Sequence, residues 1–257
     1  MSGPEREQRL VFGEVAEQYD EARPSYPDAA FDTIVEFGGL RPGDRALEIG
    51  AGTGKATMGF VARGLDVHAL EPIPEMGALL RAKGVRVEQG LFESWVAPAQ
   101  RFRLVYAAQS WHWVGGDDRY ERAAAALVPG GTVAFIWNKG RDWAGPLQAD
   151  NDAVYAKLAP HLSGGKQQWN LEWVAEGLRA CAAFEPPVHR TVTWSQRYTT
   201  AEWVRLLGTH SDHRILPEEQ RTQLHAAVGD VIDRHGGRVD VTYDVEIHLS
   251  RKVNPPS

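Results

Sequence analysis

Residues 46–57 read Ala-Leu-Glu-Ile-Gly-Ala-Gly-Thr-Gly-Lys-Ala-Thr, and no other stretch of the 257-residue chain limits its fold so tightly. A short apolar run carrying one acid, Glu48, meets glycine at alternate positions, Gly50, Gly52 and Gly54, before a helix-compatible segment. Strand, glycine turn and helix in that order open a parallel α/β unit. Lacking a Cβ, glycine takes backbone angles closed to other residues and lets a ligand lie against bare peptide groups. Two common nucleotide loops fit less well. A dinucleotide fingerprint needs Gly-x-Gly-x-x-Gly, but the third glycine comes one residue early, at Gly54 instead of at Lys55. A Walker A loop needs glycine five residues before the Gly-Lys pair and Ser or Thr after it, where Ile49 and Ala56 stand.

A second signal lies at the expected distance. Leu65 to Glu71 reads as a strand ending in an acid. In strand–helix–strand nucleotide sites, an acid about 20 residues beyond the glycine loop accepts hydrogen bonds from ribose hydroxyls. Glu71 has two oxygens for that task, and Pro72 and Ile73 just after it can pack on an adenine face.

Strand-like and helix-like segments alternate beyond this point, which argues for a parallel sheet covered on both faces. Strands are expected at 46–49, 66–71, 85–89, 104–109 and 132–137, with helices at 55–63, 74–83 and 120–127 and a turn at Pro129-Gly130-Gly131. From 139 to 187 the strand pattern weakens, tryptophans accumulate, and a helical insertion is expected. A strand at 188–194 and helices at 200–207 and 217–235 follow, the first with Thr199 or Thr200 as its cap. Val239, Val241, Tyr243, Val245, Ile247 and Leu249 then alternate with polar residues, the pattern of a strand, expected antiparallel at the sheet's end.

A formal charge of -6 argues against a nucleic acid as main partner. One cysteine, Cys181, forms neither an internal disulfide nor a cysteine-based zinc site. The first residues lack the basic-then-apolar pattern of a signal peptide, and no apolar run approaches spanning length, so a cytoplasmic protein is expected.

The loop Glu-x-Gly-x-Gly-x-Gly resembles the first motif of class I S-adenosylmethionine-dependent methyltransferases. The resemblance extends through Val11–Asp20, Arg23-Pro24, Tyr26-Pro27, Phe92–Trp95, Ala107–Trp113, Leu127–Gly131 and Trp137-Asn138 to the bacterial type-11 methyltransferase group, which includes relatives of trans-aconitate methyltransferase. It implies a Rossmann-like α/β fold of seven strands, the last antiparallel, with helices on both faces and the helical insertion after the fifth strand. A single domain over 1–257 would comprise an N-terminal helical cover (1–40), a cofactor-binding core (41–138), a substrate-side insertion (139–187) and the C-terminal part of the sheet (188–257). One departure is Arg103, where the group usually carries aspartate.

By this resemblance the cofactor is S-adenosyl-L-methionine. Loop amides between Gly50 and Gly54 suit its carboxylate, and Glu48 its amino end, through loop ordering or water. Phe92 can flank adenine while Glu93 reads the exocyclic amine. Gln109 sits where family members contact the methionine portion, and Tyr19 and Arg23 are candidates to close over the site. His112, between Trp111 and Trp113, is the best-placed general base, although a histidine so placed also serves as a packed wall residue. The expected acceptor is a small molecule, methylated on oxygen or nitrogen, and apolar or aromatic if any of Trp143, Trp169, Trp173 and Trp203 line its pocket. No membrane or nucleic-acid partner is expected. His210 and His213 flank Asp212, but without a helix-spaced pair or a third clear ligand no metal site is expected there. A cofactor-binding protein without methyl transfer, and a methyltransferase acting on a macromolecule, are the alternatives.

Overall fold

The computed structural model describes residues 16–96, 101–162 and 170–254. The Val11–Val15 part of the N-terminal motif and Trp169 lie outside them. Seven strands form one sheet in the order β3-β2-β1-β4-β5-β7-β6. They are β1 (Arg45–Ile49), β2 (Asp66–Glu71), β3 (Arg86–Gln89), β4 (Phe102–Ala108), β5 (Leu127–Gly140), β6 (Val188–Thr199) and β7 (Arg238–Arg251). The first five are parallel, with Ala46 beside Val67 and Leu104, His68 beside Arg86, and Val105 beside Val133. β7 runs against β5: Gly130 donates to the Lys252 carbonyl, Lys252 to Gly131, and Arg141 to Thr242, so one number falls as the other rises. The strictly alternating strand therefore lies inside the sheet and β6 takes its edge.

Burial on both faces explains the near-continuous apolar runs of β1 and β4. The expected Pro129–Gly131 turn is an interruption inside β5. Phe102 pairs with Leu127 and Leu104 with Thr132, so the residues between Leu127 and Thr132 are looped out of that ladder. Arg103 lies at this irregularity, inside β4, and donates to the Gly38 carbonyl.

Helices α1 (Ala16–Ala22), α2 (Asp28–Gly38), α3 (Thr57–Val61), α4 (Pro74–Ala82), α5 (Arg119–Ala126), α6 (Gly145–Leu158), α7 (Glu172–Ala180), α8 (Thr200–Leu207), α9 (Ser211–Arg214) and α10 (Glu218–Arg234) connect the strands. α8 begins where its capping signal predicts: the Thr199 hydroxyl accepts from the Glu202 amide, and the Glu202 carboxylate accepts from the Thr199 amide. α3 is shorter than the expected 55–63, covering only Thr57–Val61.

The chain forms two compact units. One holds Met1–Pro24, Gly140–Asn170 and Thr193–Tyr243; the other holds Ser25–Lys139, Leu171–Val192 and Asp244–Ser257. In the first, Tyr198, Trp203, Leu207, Leu224, Val228 and Val241 are among the residues that build the core. In the second, the core gathers Leu47, Ile49, Leu70, Phe92, Trp111 and Phe135, with Trp111 stacked on Phe135 at 4.2 Å. Among the described residues, no helix is long and apolar enough to cross a membrane.

Candidate cofactor site

All three loop glycines have left-handed backbone, with φ of 67° at Gly50, 57° at Gly52 and 93° at Gly54. Their surroundings differ. A Cβ on Gly50 would meet the Ser110 Cβ at 2.7 Å, and one on Gly54 would meet the Leu80 side chain at 2.4 Å, so packing alone requires glycine at both. A Cβ on Gly52 would touch only the Met76 sulfur, at 3.8 Å. Its open face is what close approach by a ligand requires.

Two buried acids brace the loop. Glu71, at the end of β2, accepts from the Gly52 amide at 2.7 Å and, through its other oxygen, from the Ile73 amide at 2.8 Å. Glu48, in β1, is 1% exposed; one of its oxygens accepts from the Thr57 hydroxyl and from the Tyr106 hydroxyl at 2.8 Å. Burial pushes the Glu48 carboxyl up to about 8, against the opposing pull of the Thr57 and Tyr106 hydrogen bonds and with a smaller push from the Glu71 charge. Lys83 donates to the Thr53 carbonyl, and the buried Thr53 hydroxyl has no hydrogen-bond partner among the described residues.

The loop amides are largely spent. Those of Gly50 and Ala51 donate to Leu70, that of Gly52 to Glu71 and that of Gly54 to Ala51. The expectation that this stretch offers its N–H groups to a carboxylate fails for these four, because bracing the glycine turn uses them first.

Gln109, at the end of β4, is the one non-glycine with positive φ among the described residues, at 58°. Such strain persists only where the surroundings impose it, here through its amide's bond to Ile136 and its side chain's bond to the Asn138 carbonyl. Ser110 follows and donates to the Ile49 carbonyl at 2.5 Å, tying the β4 end to the loop. His112 lies in a 3₁₀ turn, Trp111–Trp113, half-buried, with its ring 4.8 Å from that of Trp113.

Pro72 and Ile73 are half-buried beside Glu71. Phe92 is 3% exposed, packed among Trp95 and Trp111 in the core, so the exposed apolar side chain of that turn is Leu91. Glu93 accepts from the Gly115 amide at 2.8 Å. Tyr19 and Arg23 belong to the other unit, where the Arg23 guanidinium lies 5.1 Å from the Tyr19 ring and donates to the Thr209 carbonyl. Trp143 and Trp203 also pack on each other there, at 5.1 Å. Trp173, in the sheet-based unit, meets Trp137 edge-on.

Residues 46–131 match the family model described as "Methyltransferase domain". An uncharacterized methyltransferase of Mycobacterium tuberculosis is 38% identical over 183 residues, 67% of this chain and 74% of that protein. The chain belongs to the methyltransferase family. The trans-aconitate 2-methyltransferase of Rhizobium meliloti is 27% identical to this methyltransferase over 228 residues, 84% of one chain and 88% of the other. The fold matches that of an Anaeromyxobacter dehalogenans protein assigned as a type II methyltransferase, with a TM-score of 0.62 at 22% identity over 91% of this chain and 99% of that one.

Of the residues singled out in the sequence, the structure brings Glu48, the glycines, Glu71 and Gln109 to neighbouring strand ends of one unit. Thr57, Tyr106 and Ser110, which hold these residues in place, are not among those singled out. A hydroxyl at the helix start and another at a strand end were the only signals they gave.

Proposed function

We infer that this methyltransferase holds S-adenosylmethionine against the Gly50–Gly54 loop and transfers its methyl group to the oxygen or nitrogen of a small organic acceptor, releasing S-adenosylhomocysteine. The observation that carries this reading is Gly52, left-handed, open on its Cβ face, and fixed by its amide to the acid Glu71. A carboxylate at the end of the second strand, as Glu71 is, suits the two ribose hydroxyls. Ile73 and Leu91 offer apolar surface to adenine, and the Thr53 hydroxyl supplies a buried polar group within the loop. When bound, the cofactor supplies a methyl group on a positively charged sulfur. The chain's own task is to align the acceptor and keep water out, which can account for much of the rate. His112 fits a wall residue that orients the acceptor through its ring. A carboxylate acceptor, such as the name of the Rhizobium relative implies for that protein, is already a nucleophile and asks for no base. The acidic balance of the chain favours a small acceptor over a nucleic acid.

Calorimetry with S-adenosylhomocysteine on the wild type and on Gly52→Val tests the loop. A branched side chain at that left-handed position strains the turn and fills the open face, so affinity should fall by about a hundredfold or more while the fold survives. A folded Gly52→Val protein that binds like the wild type would reduce the loop to a plain turn. Mass spectrometry for methylated product, over a panel of small carboxylic acids, phenols and amines, tests the acceptor class.

A further inference from the structure

The sequence places His210, Asp212 and His213 together, and methyl transfer uses none of them. In the structure the ligating atoms of all three lie within 4.8 Å of one another. His210 precedes α9, while Asp212 and His213 lie on its single turn, a tight bend that brings two imidazoles and a carboxylate close together. His210 and Asp212 are half-buried and His213 is 3% exposed, so the cluster opens to solvent on one side and is walled on the other.

The wall is built as metal sites build theirs. The Tyr155 hydroxyl, from α6, lies 3.2 Å from Nε2 of His213, and Nε2 of His225, from α10, lies 3.0 Å from its Nδ1. In the tautomer with its proton on Nδ1, His213 donates to His225, and its Nε2 lone pair is the one an ion would take in place of the contact with Tyr155. A histidine ligand whose second nitrogen donates to a fixed acceptor has its ring orientation and tautomer set in advance. These residues all belong to one compact unit.

We propose that His210, Asp212 and His213 bind a divalent transition-metal ion of the zinc type, with His225 as the residue that positions His213. Two imidazoles and a carboxylate suit such an ion and leave further positions for water or an oxygen-bearing molecule. Tetrahedral ligands about 2.0–2.1 Å from zinc stand roughly 3.4 Å apart, so an ion would draw these groups together by up to about 1.4 Å, within the reach of side-chain rotation.

The test uses the full-length protein, treated with a chelator and freed of any affinity tag, and titrated with Co²⁺ by visible absorption, then with Zn²⁺ in competition. The expected result is a saturable Co²⁺ band at about one equivalent per chain, displaced by Zn²⁺. His210→Ala and Asp212→Asn, both at half-buried positions, should each weaken binding by about tenfold or more, with unchanged thermal unfolding of the metal-free protein and unchanged S-adenosylhomocysteine affinity. His225→Gln should weaken it less and shift the Co²⁺ spectrum. No saturable binding below about 0.1 mM, or equal binding by wild type and the two ligand variants, would overturn the proposal. Because the readout is metal binding, it stands or falls apart from the methyl-transfer reading.

Discussion

Glu48 offers a test of the loop's foundation that needs no substrate. Burial raises its carboxyl from 4.5 to about 8, while Thr57 and Tyr106 donate to it and lower it less than burial raises it. The folded protein therefore keeps a proton that the unfolded chain releases above pH 4.5. For a group raised on folding, stability is full below the unfolded value and is lost as pH rises through the folded one. Each pH unit inside that window costs about 1.4 kcal/mol, so between pH 5 and pH 8 this one group should remove about 3–4 kcal/mol. Glu48→Gln is neutral throughout and keeps an oxygen to accept from Thr57 and Tyr106. The quantity to measure is the wild-type minus Glu48→Gln difference in unfolding free energy, from urea melts at pH 5, 6, 7 and 8. Taking the difference cancels the groups common to both proteins. These include His225 and His248, which burial lowers to about 4 and which act in the opposite direction, losing stability as pH falls. The wild type should lose ground steadily against the variant up to pH 8. Parallel stability curves would mean that Glu48 is ionised in the folded protein, and the account of its burial would fail.

Glu71→Ala removes the partner of two amides and, on the proposed reading, that of the ribose hydroxyls, so S-adenosylhomocysteine affinity should fall by about 2–3 kcal/mol or more; unchanged affinity by calorimetry in a folded variant would take Glu71 out of the site. If His112 only shapes the wall, His112→Asn should retain most turnover with the parent's pH profile once an acceptor is found. A loss of about 10²–10⁴-fold in both His112→Asn and His112→Ala, confined to acceptors whose own pKa lies well above the assay pH, would make it a general base.

The features legible in the sequence were those whose cause is local. The glycine spacing, the acid at the end of β2, the Thr199 cap and the alternation of Val239–Leu249 each follow from backbone angles or periodicity within a dozen residues. What escaped depends on partners far along the chain. Phe92 looks available to a ligand until Trp95 and Trp111 close around it. Arg103 looks like a loop residue until its strand is seen to begin at Phe102. The left-handed angle at Gln109 is invisible because glutamine carries no preference for it. His210, Asp212 and His213 share a motif, but Tyr155 and His225, which frame them, come from separate helices.

The two acids of the loop divide its work by what surrounds them. Glu48 has no route to solvent, and its two hydroxyl donors come from α3 and β4. It joins the strand before the loop, the helix after it and the neighbouring strand, a bracket that gains nothing from charge. Glu71 takes two backbone amides, one on each oxygen, and one of them belongs to the single loop glycine with an open face. Any ligand that lies against Gly52 therefore meets a carboxylate already held in place, and ordering it costs little on binding. Exchanging the two roles would fail on both counts. One oxygen of an acid in the position of Glu48 is already taken by two protein hydroxyls, and an amide side chain in the position of Glu71 would have one oxygen for two backbone N–H groups.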